Sequence, residues 1–184
     1  MAKGGSFGFR EIKKLQKQIE RLEQERDSFN QECLRELAAR LLQKVVKRTP
    51  VGVAPKLDGP KTVKIKGADG TSKTFLSKNG AIRQTYWAGY VGGTLRRGWT
   101  VGAIQKIGNV YQIEIINPPE YASYVEYGHR QTPGRYIPAL GKRAKTAWVP
   151  GTFMLTISEK EINDLAPKLI EKQLEAKLRE VFDA

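Results

Sequence analysis

The chain is poor in the residues that most often carry chemistry. It has one cysteine, one histidine and two methionines in 184 residues. A single cysteine, Cys33, excludes an internal disulfide, and with no cysteine or histidine nearby at ligand spacing it does not read as a zinc site. Its position on a helical face reads as a small apolar residue. A single histidine, His129, excludes any two-histidine metal site, and acid or base work by it alone is the one role left to an imidazole, with no recognisable catalytic constellation around it. The segment "GYVGGT" lacks the lysine and spacing with which a glycine-rich loop cradles phosphates. No apolar run approaches the roughly 18 residues needed to cross a bilayer, and the amino-terminal stretch "MAKGGSFGFREIKK" has no hydrophobic centre of a secretion signal. These absences predict a soluble, cytoplasmically made protein without a catalytic constellation, cofactor or metal.

Positive charge is abundant. The formal net charge is +13, and residues 48–150 carry 16 Lys and Arg against 5 Asp and Glu. Residues 151–184 carry 5 against 7, so the excess is confined to the middle of the chain. Such a surface fits phosphates or an acidic protein partner. The lysines at 56, 61, 64, 66, 73 and 78 face only Asp58 and Asp69 in their segment. Lys56, Lys61, Lys64, Lys66, Lys73 and Lys78, with Arg96, Arg97, Arg130 and Arg135, are therefore the candidate contacts to DNA or a partner. The aromatics of "RQTYWAGY" and "RRGW" read mainly as loop anchors, with base stacking as the alternative.

At 40% hydrophobic, the chain supports one modest core with appendages. Phe9 to Lys47 contains neither Pro nor Gly, which predicts one long helix of about 57 Å at 1.5 Å per residue. Ile12, Leu15, Ile19, Leu22 and Phe29 follow three- and four-residue steps interrupted by Arg26, the seam of a helical partner contact. Leu34 to Val45 widens that stripe, so the second half suits a core and the first half projects. Pro50 ends the helix.

The expected organisation is residues 1–47 as a partly projecting helix, 48–98 as a basic Gly/Pro-rich insertion, and 99–184 as a core α+β region. "KTVKIKGADGTSKTFL" alternates around a turn and predicts a small exposed β-hairpin. "WTVGAIQKIGNVYQIEIINPP" predicts a second hairpin around Gly108 and Asn109, the candidate core sheet. Residues 121–127 predict a short helix that Gly128 stops in a left-handed conformation, with Glu126 an ion-pair partner for a neighbouring arginine. Residues 153–184 predict two helices, or one bent one, because Pro167 divides the apolar stripe. The fold class is α+β: a long amino-terminal helix, a small antiparallel sheet packed with helices, and carboxyl-terminal helices.

Four stretches in order, "RTPVG", "GGTLRRGWTVG", "EYASYVEYGHR" and "VPGTFML", resemble the phage tail-component family named for gene product ten of coliphage HK-ninety-seven, over roughly residues 45 to 180. The family's Pro, Thr-Gly, Leu-Arg sequence is split here between Thr49–Pro50 and Thr94–Arg97, so the stretch between looks like an insertion. Its tyrosine, alanine, valine, glutamate, glycine segment corresponds to Tyr121, Ala122, Val125, Glu126 and Gly128, where a structural role is implied. The resemblance implies a non-enzymatic virion protein at the neck, related in role to minor tail protein Z. It would form a hexameric ring between the head-closure connector and the tail terminator or tail tube, with genomic DNA passing its lumen and no membrane partner. A different reading of the residues is a free nucleic-acid-binding module that dimerises through its amino-terminal helix.

Overall fold

The structure is a computed structural model that describes residues 9–54, 62–66, 70–76 and 87–183, with the backbone alone described at 62–66 and 73–76. The chain divides into two compact units. The first comprises residues up to Val45, Thr100–Ile116 and the chain from Ile157 onward; the second comprises Val46–Trp99 and Asn117–Thr156.

The long helix forms as the composition predicts: α1 runs Phe9–Arg48. In the first unit it lies antiparallel to the last helix. That helix, designated α4 below, spans Met154–Phe182 without a break. Pro167 sits inside it, so Met154–Phe182 is one helix, not two. Proline removes a single main-chain donor, which a helix of this length absorbs without ending.

Side chains tie the two helices at five levels. Gln18 donates to the Val181 carbonyl at 3.0 Å, and Arg21 pairs with Glu180 at 2.9 Å. Lys177 reaches Glu25 at 2.6 Å, Gln173 donates to Glu36, and Lys44 meets Glu161 at 2.6 Å. The buried residues of this unit, among those described, are all helical: Cys33, Ala38, Val45, Ser158, Ile162 and Val181.

The ribbon of the first unit consists of β3 (Thr100–Val101), β4 (Gln105–Ile107), β5 (Val110–Gln112) and β6 (Ile115–Ile116), preceded in the chain by β1 (Thr62–Lys66) and β2 (Ser72–Leu76). Gly108, at φ 62°, leads the two-residue turn that pairs Ile107 with Val110. That register puts Lys106 and Tyr111 on one face and Ile107 and Val110 on the other. Lys106 bonds Asp27 of α1, so the polar pair is turned toward the helix. Ile107 and Val110 are exposed as a result. The ribbon is therefore not the core sheet that its β-branched residues predicted: with two strands to each pair and Ile107 and Val110 exposed, it decorates a helical core.

In the second unit, β1 and β2 pair antiparallel from Thr62↔Leu76 to Lys66↔Ser72, the basic hairpin expected. Short elements follow: α2 (Thr94–Arg97), α3 (Ala122–Tyr127), β7 (Gly128–Arg130), β8 (Tyr136–Ile137), β9 (Lys142–Arg143) and β10 (Trp148–Pro150). Each strand pair, β3 with β6, β4 with β5, β7 with β10 and β8 with β9, stands as a two-stranded antiparallel sheet. The α+β class holds in this form: small two-stranded sheets and helices.

Candidate functional site

Two pairs of sequence-distant stretches meet within the second unit. The first pair joins "RTPVG" to "GGTLRRGW". Thr49 is fully buried. Its carbonyl accepts from Arg96 at 2.9 and 2.6 Å, and its hydroxyl accepts from the Trp99 indole at 2.7 Å. Gly92 is packed so tightly on the Gly52 carbonyl that a Cβ there would lie 2.0 Å from the oxygen. Asn117 completes the corner by donating to the Leu95 carbonyl at 2.9 Å. Arg96 thus holds two ends of chain together, and Arg97 donates to the Gly92 carbonyl at 3.2 Å.

The second pair joins "EYASYVEYGHR" to "VPGTFML". Glu126 is 5% exposed, and no arginine pairs with it among the described residues. Its carboxylate accepts instead from the backbone N–H of Leu155 at 3.0 Å, the N–H of Thr156 at 2.9 Å and the Thr156 hydroxyl at 2.8 Å. These are donors of the first turn of α4, which has no intrahelical partner for them. Phe153, immediately before the helix, has no side-chain acceptor, so a carboxylate from α3 provides the cap and offsets the positive helix end. The ion-pair expectation for Glu126 is thereby replaced by a capping role. Sequence spacing carried no sign of it, because donor and acceptor lie 29 and 30 residues apart.

Gly128 ends α3 at φ 85°, ψ 175°, an extended mirror conformation and not the left-handed helical one expected. A Cβ there would meet the Val149 carbonyl at 2.4 Å, and one on Gly151 would meet the Glu126 carbonyl at 2.1 Å. The two glycines let the chains cross in contact. The Tyr-Ala-Val-Glu-Gly segment is a clamp that starts α4.

Around this clamp the surface is aromatic and basic. Residues 127–158 contain five Lys and Arg and no Asp or Glu. An open depression of about 900 Å³ is lined by His129, Arg130, Arg135, Tyr136 and Trp148, among others. A second, of about 650 Å³, is lined by Tyr121, Tyr124, His129, Arg130 and Val149, among others. Arg130 is the cross-strand partner of Trp148, and the Tyr124 and His129 rings meet edge to face at 5.9 Å. Arg130 and Arg135 are exposed.

The remaining candidates separate. Lys56, Lys61 and Lys78 lie outside the described residues. Lys64, Lys66 and Lys73 are on the β1–β2 hairpin, whose side chains are not described. Of the helix seam, Ile12, Leu15 and Ile19 are exposed, whereas Leu22 and Phe29 are half-buried. Trp87 is an anchor, donating to the Ala139 carbonyl at 2.7 Å and stacking edge-on with Tyr90. Burial pushes the Cys33 thiol above its ordinary pKa, away from the reactive thiolate. No group of three or more His, Cys, Asp and Glu suited to a metal occurs among the described residues, and no described helix is long and apolar enough to cross a membrane.

The particular family follows from the chain itself: residues 13–128 match the family model of bacteriophage HK97-gp10 tail-component proteins, and the chain belongs to that family. The matched span takes in most of α1 and ends at Gly128, whereas the quoted motifs had placed the resemblance at roughly residues 45 to 180; "VPGTFML" lies beyond the match. No curated protein and no solved structure matches the chain.

Proposed function

We propose that this tail component is a neck protein: a ring, sixfold by the family resemblance, that completes the tail and joins the head connector to the tail tube. The observation that carries the reading is membership of the phage tail-component family over residues 13–128. Charge supports the location. Residues 48–150 hold 16 Lys and Arg against 5 acids, which suits a lumen through which DNA passes with loose phosphate contacts, or an acidic neighbouring ring. Arg130, Arg135 and the lysines from 56 to 78 are the proposed contacts. The meeting of Thr49 with Arg96 and Trp99 supports treating the intervening stretch as an insertion, since its two ends close on each other.

The test is genetic and structural. Phage carrying a nonsense mutation in this gene should accumulate filled heads and separate tails, and imaging of complemented particles should place the chain between connector and tube. Joined, infectious particles without the chain overturn the reading, as does density for it elsewhere along the tail. Neutralising Lys56, Lys61, Lys64, Lys66, Lys73 and Lys78 together should weaken joining in extracts most at low salt.

A further inference from the structure

The pair formed by α1 and α4 leaves one side uncovered. Along the amino-terminal half of α1 the residues bonded to α4 are Gln18, Arg21 and Glu25. Ile12, Leu15 and Ile19 lie about a third of a turn from them in the direction of winding. Along the carboxyl-terminal half of α4 the side chains bonded to α1 are Gln173, Lys177 and Glu180, and Leu174, Leu178 and Phe182 again lie about a third of a turn onward. Because the helices run antiparallel, equal rotations along each bring both apolar stripes to the same side of the pair.

These six side chains are between 37% and 58% exposed. At roughly 200 Å² for a large apolar residue, they expose about 500 Å². That is at the upper end of what a monomer leaves bare. It equals the apolar share of a standard interface, about 57% of about 800 Å² per partner. Glu11, Glu23 and Glu171 at this face have no ion-pair partner among the described residues; Arg26, which interrupts the α1 stripe, is held by Asp27 at 3.5 Å.

The surface around β7 and β10 in the second unit has the complementary chemistry. Tyr124 and Trp148 are 59% and 49% exposed. Arg130 and Arg135 beside them form no ion pair among the described residues, and no carboxylate occurs from residue 127 to 158. We propose that the apolar, acid-edged α1/α4 face of one copy docks on the aromatic, basic β7/β10 surface of a second copy. The contact is head-to-tail: each chain offers both halves, so copies add in series and close where the rotation permits. Like faces would instead bring acid to acid, which disfavours a two-fold dimer. The proposal rests on the ring reading above and names the surfaces that build the ring.

Two variants of the full chain test it. One carries Ile19→Lys and Leu174→Lys; the other carries Arg130→Glu and Arg135→Glu. All four positions are exposed, and circular dichroism and thermal unfolding matching the unaltered chain verify folding. Sedimentation is read at about 100 μM, well above the micromolar end for interfaces of this size. The unaltered chain should exceed a dimer, each variant alone should be monomeric, and an equal mixture should form a heterodimer and nothing larger. If the arginine variant alone still associates, the contact is isologous or elsewhere. If that variant loses only binding to duplex DNA, the basic surface belongs to nucleic acid. Either outcome overturns the proposal, as does a monomeric unaltered chain or a mixture that stays monomeric. A monomeric chain that is nonetheless found at the neck removes this contact and leaves the neck reading intact; a heterodimer with particles lacking the chain at the neck does the reverse.

Discussion

Replacing Glu126 with alanine should be among the most damaging single changes to a residue that touches no ligand. The carboxylate is 5% exposed and satisfies two backbone donors and one hydroxyl in the first turn of α4. Losing a helix cap costs about 1 kcal/mol. Leaving buried N–H groups without an acceptor adds about 1–3 kcal/mol. The terms overlap, so the expected loss is about 3 kcal/mol, or about 10 °C in melting temperature for a chain of this length. Glu126→Gln keeps the shape but turns an amide N–H₂ toward donors, and should lose about half as much. Thermal unfolding followed at 222 nm, with urea midpoints as the second measure, reads both. A Glu126→Ala variant within about 0.5 kcal/mol of the unaltered chain, the range of an ordinary surface substitution, refutes the capping account.

Gly128→Ala should destabilise by at least about 2 kcal/mol, since its φ is 85° and the new Cβ would lie 2.4 Å from the Val149 carbonyl; a melting temperature unchanged within a degree or so contradicts the close crossing. The hydrogen bond from Lys106 holds the Asp27 carboxyl down at about 2, well below its ordinary value. A depressed carboxyl contributes stability above its unfolded pKa and loses it as pH falls through the folded one. The urea midpoint should therefore drop between about pH 4 and pH 2, and Asp27→Asn should flatten that part of the profile. Glu25, lowered mainly by its bond from Arg21, contributes in the same direction; a profile identical with and without Asp27 removes the pair from the account.

Much of the chain's local structure was legible in its residues. The absence of Pro and Gly from 9 to 48 dictated α1, alternation around Gly-containing turns dictated both hairpins, and Pro50 and Gly128 marked ends. These are short-range effects, in which propensity and turn stereochemistry act within a few residues. Apolar spacing also exposed the helix seam, because a 3.6-residue period reports a face whether or not anything covers it.

What only the tertiary structure decided were the choices between equivalent local options. Ile107 and Val110 could have faced a core; the two-residue turn fixed a register that sends Lys106 to Asp27 and leaves them bare. Pro167 could have split the last helix; side-chain ties along α1 from Gln18 to Lys44 accompany one unbroken helix. Glu126 could have met an arginine; it met the open end of a helix that starts 28 residues later, because backbone donors without partners are identical in every sequence and become visible only once the chain has brought an acceptor to them.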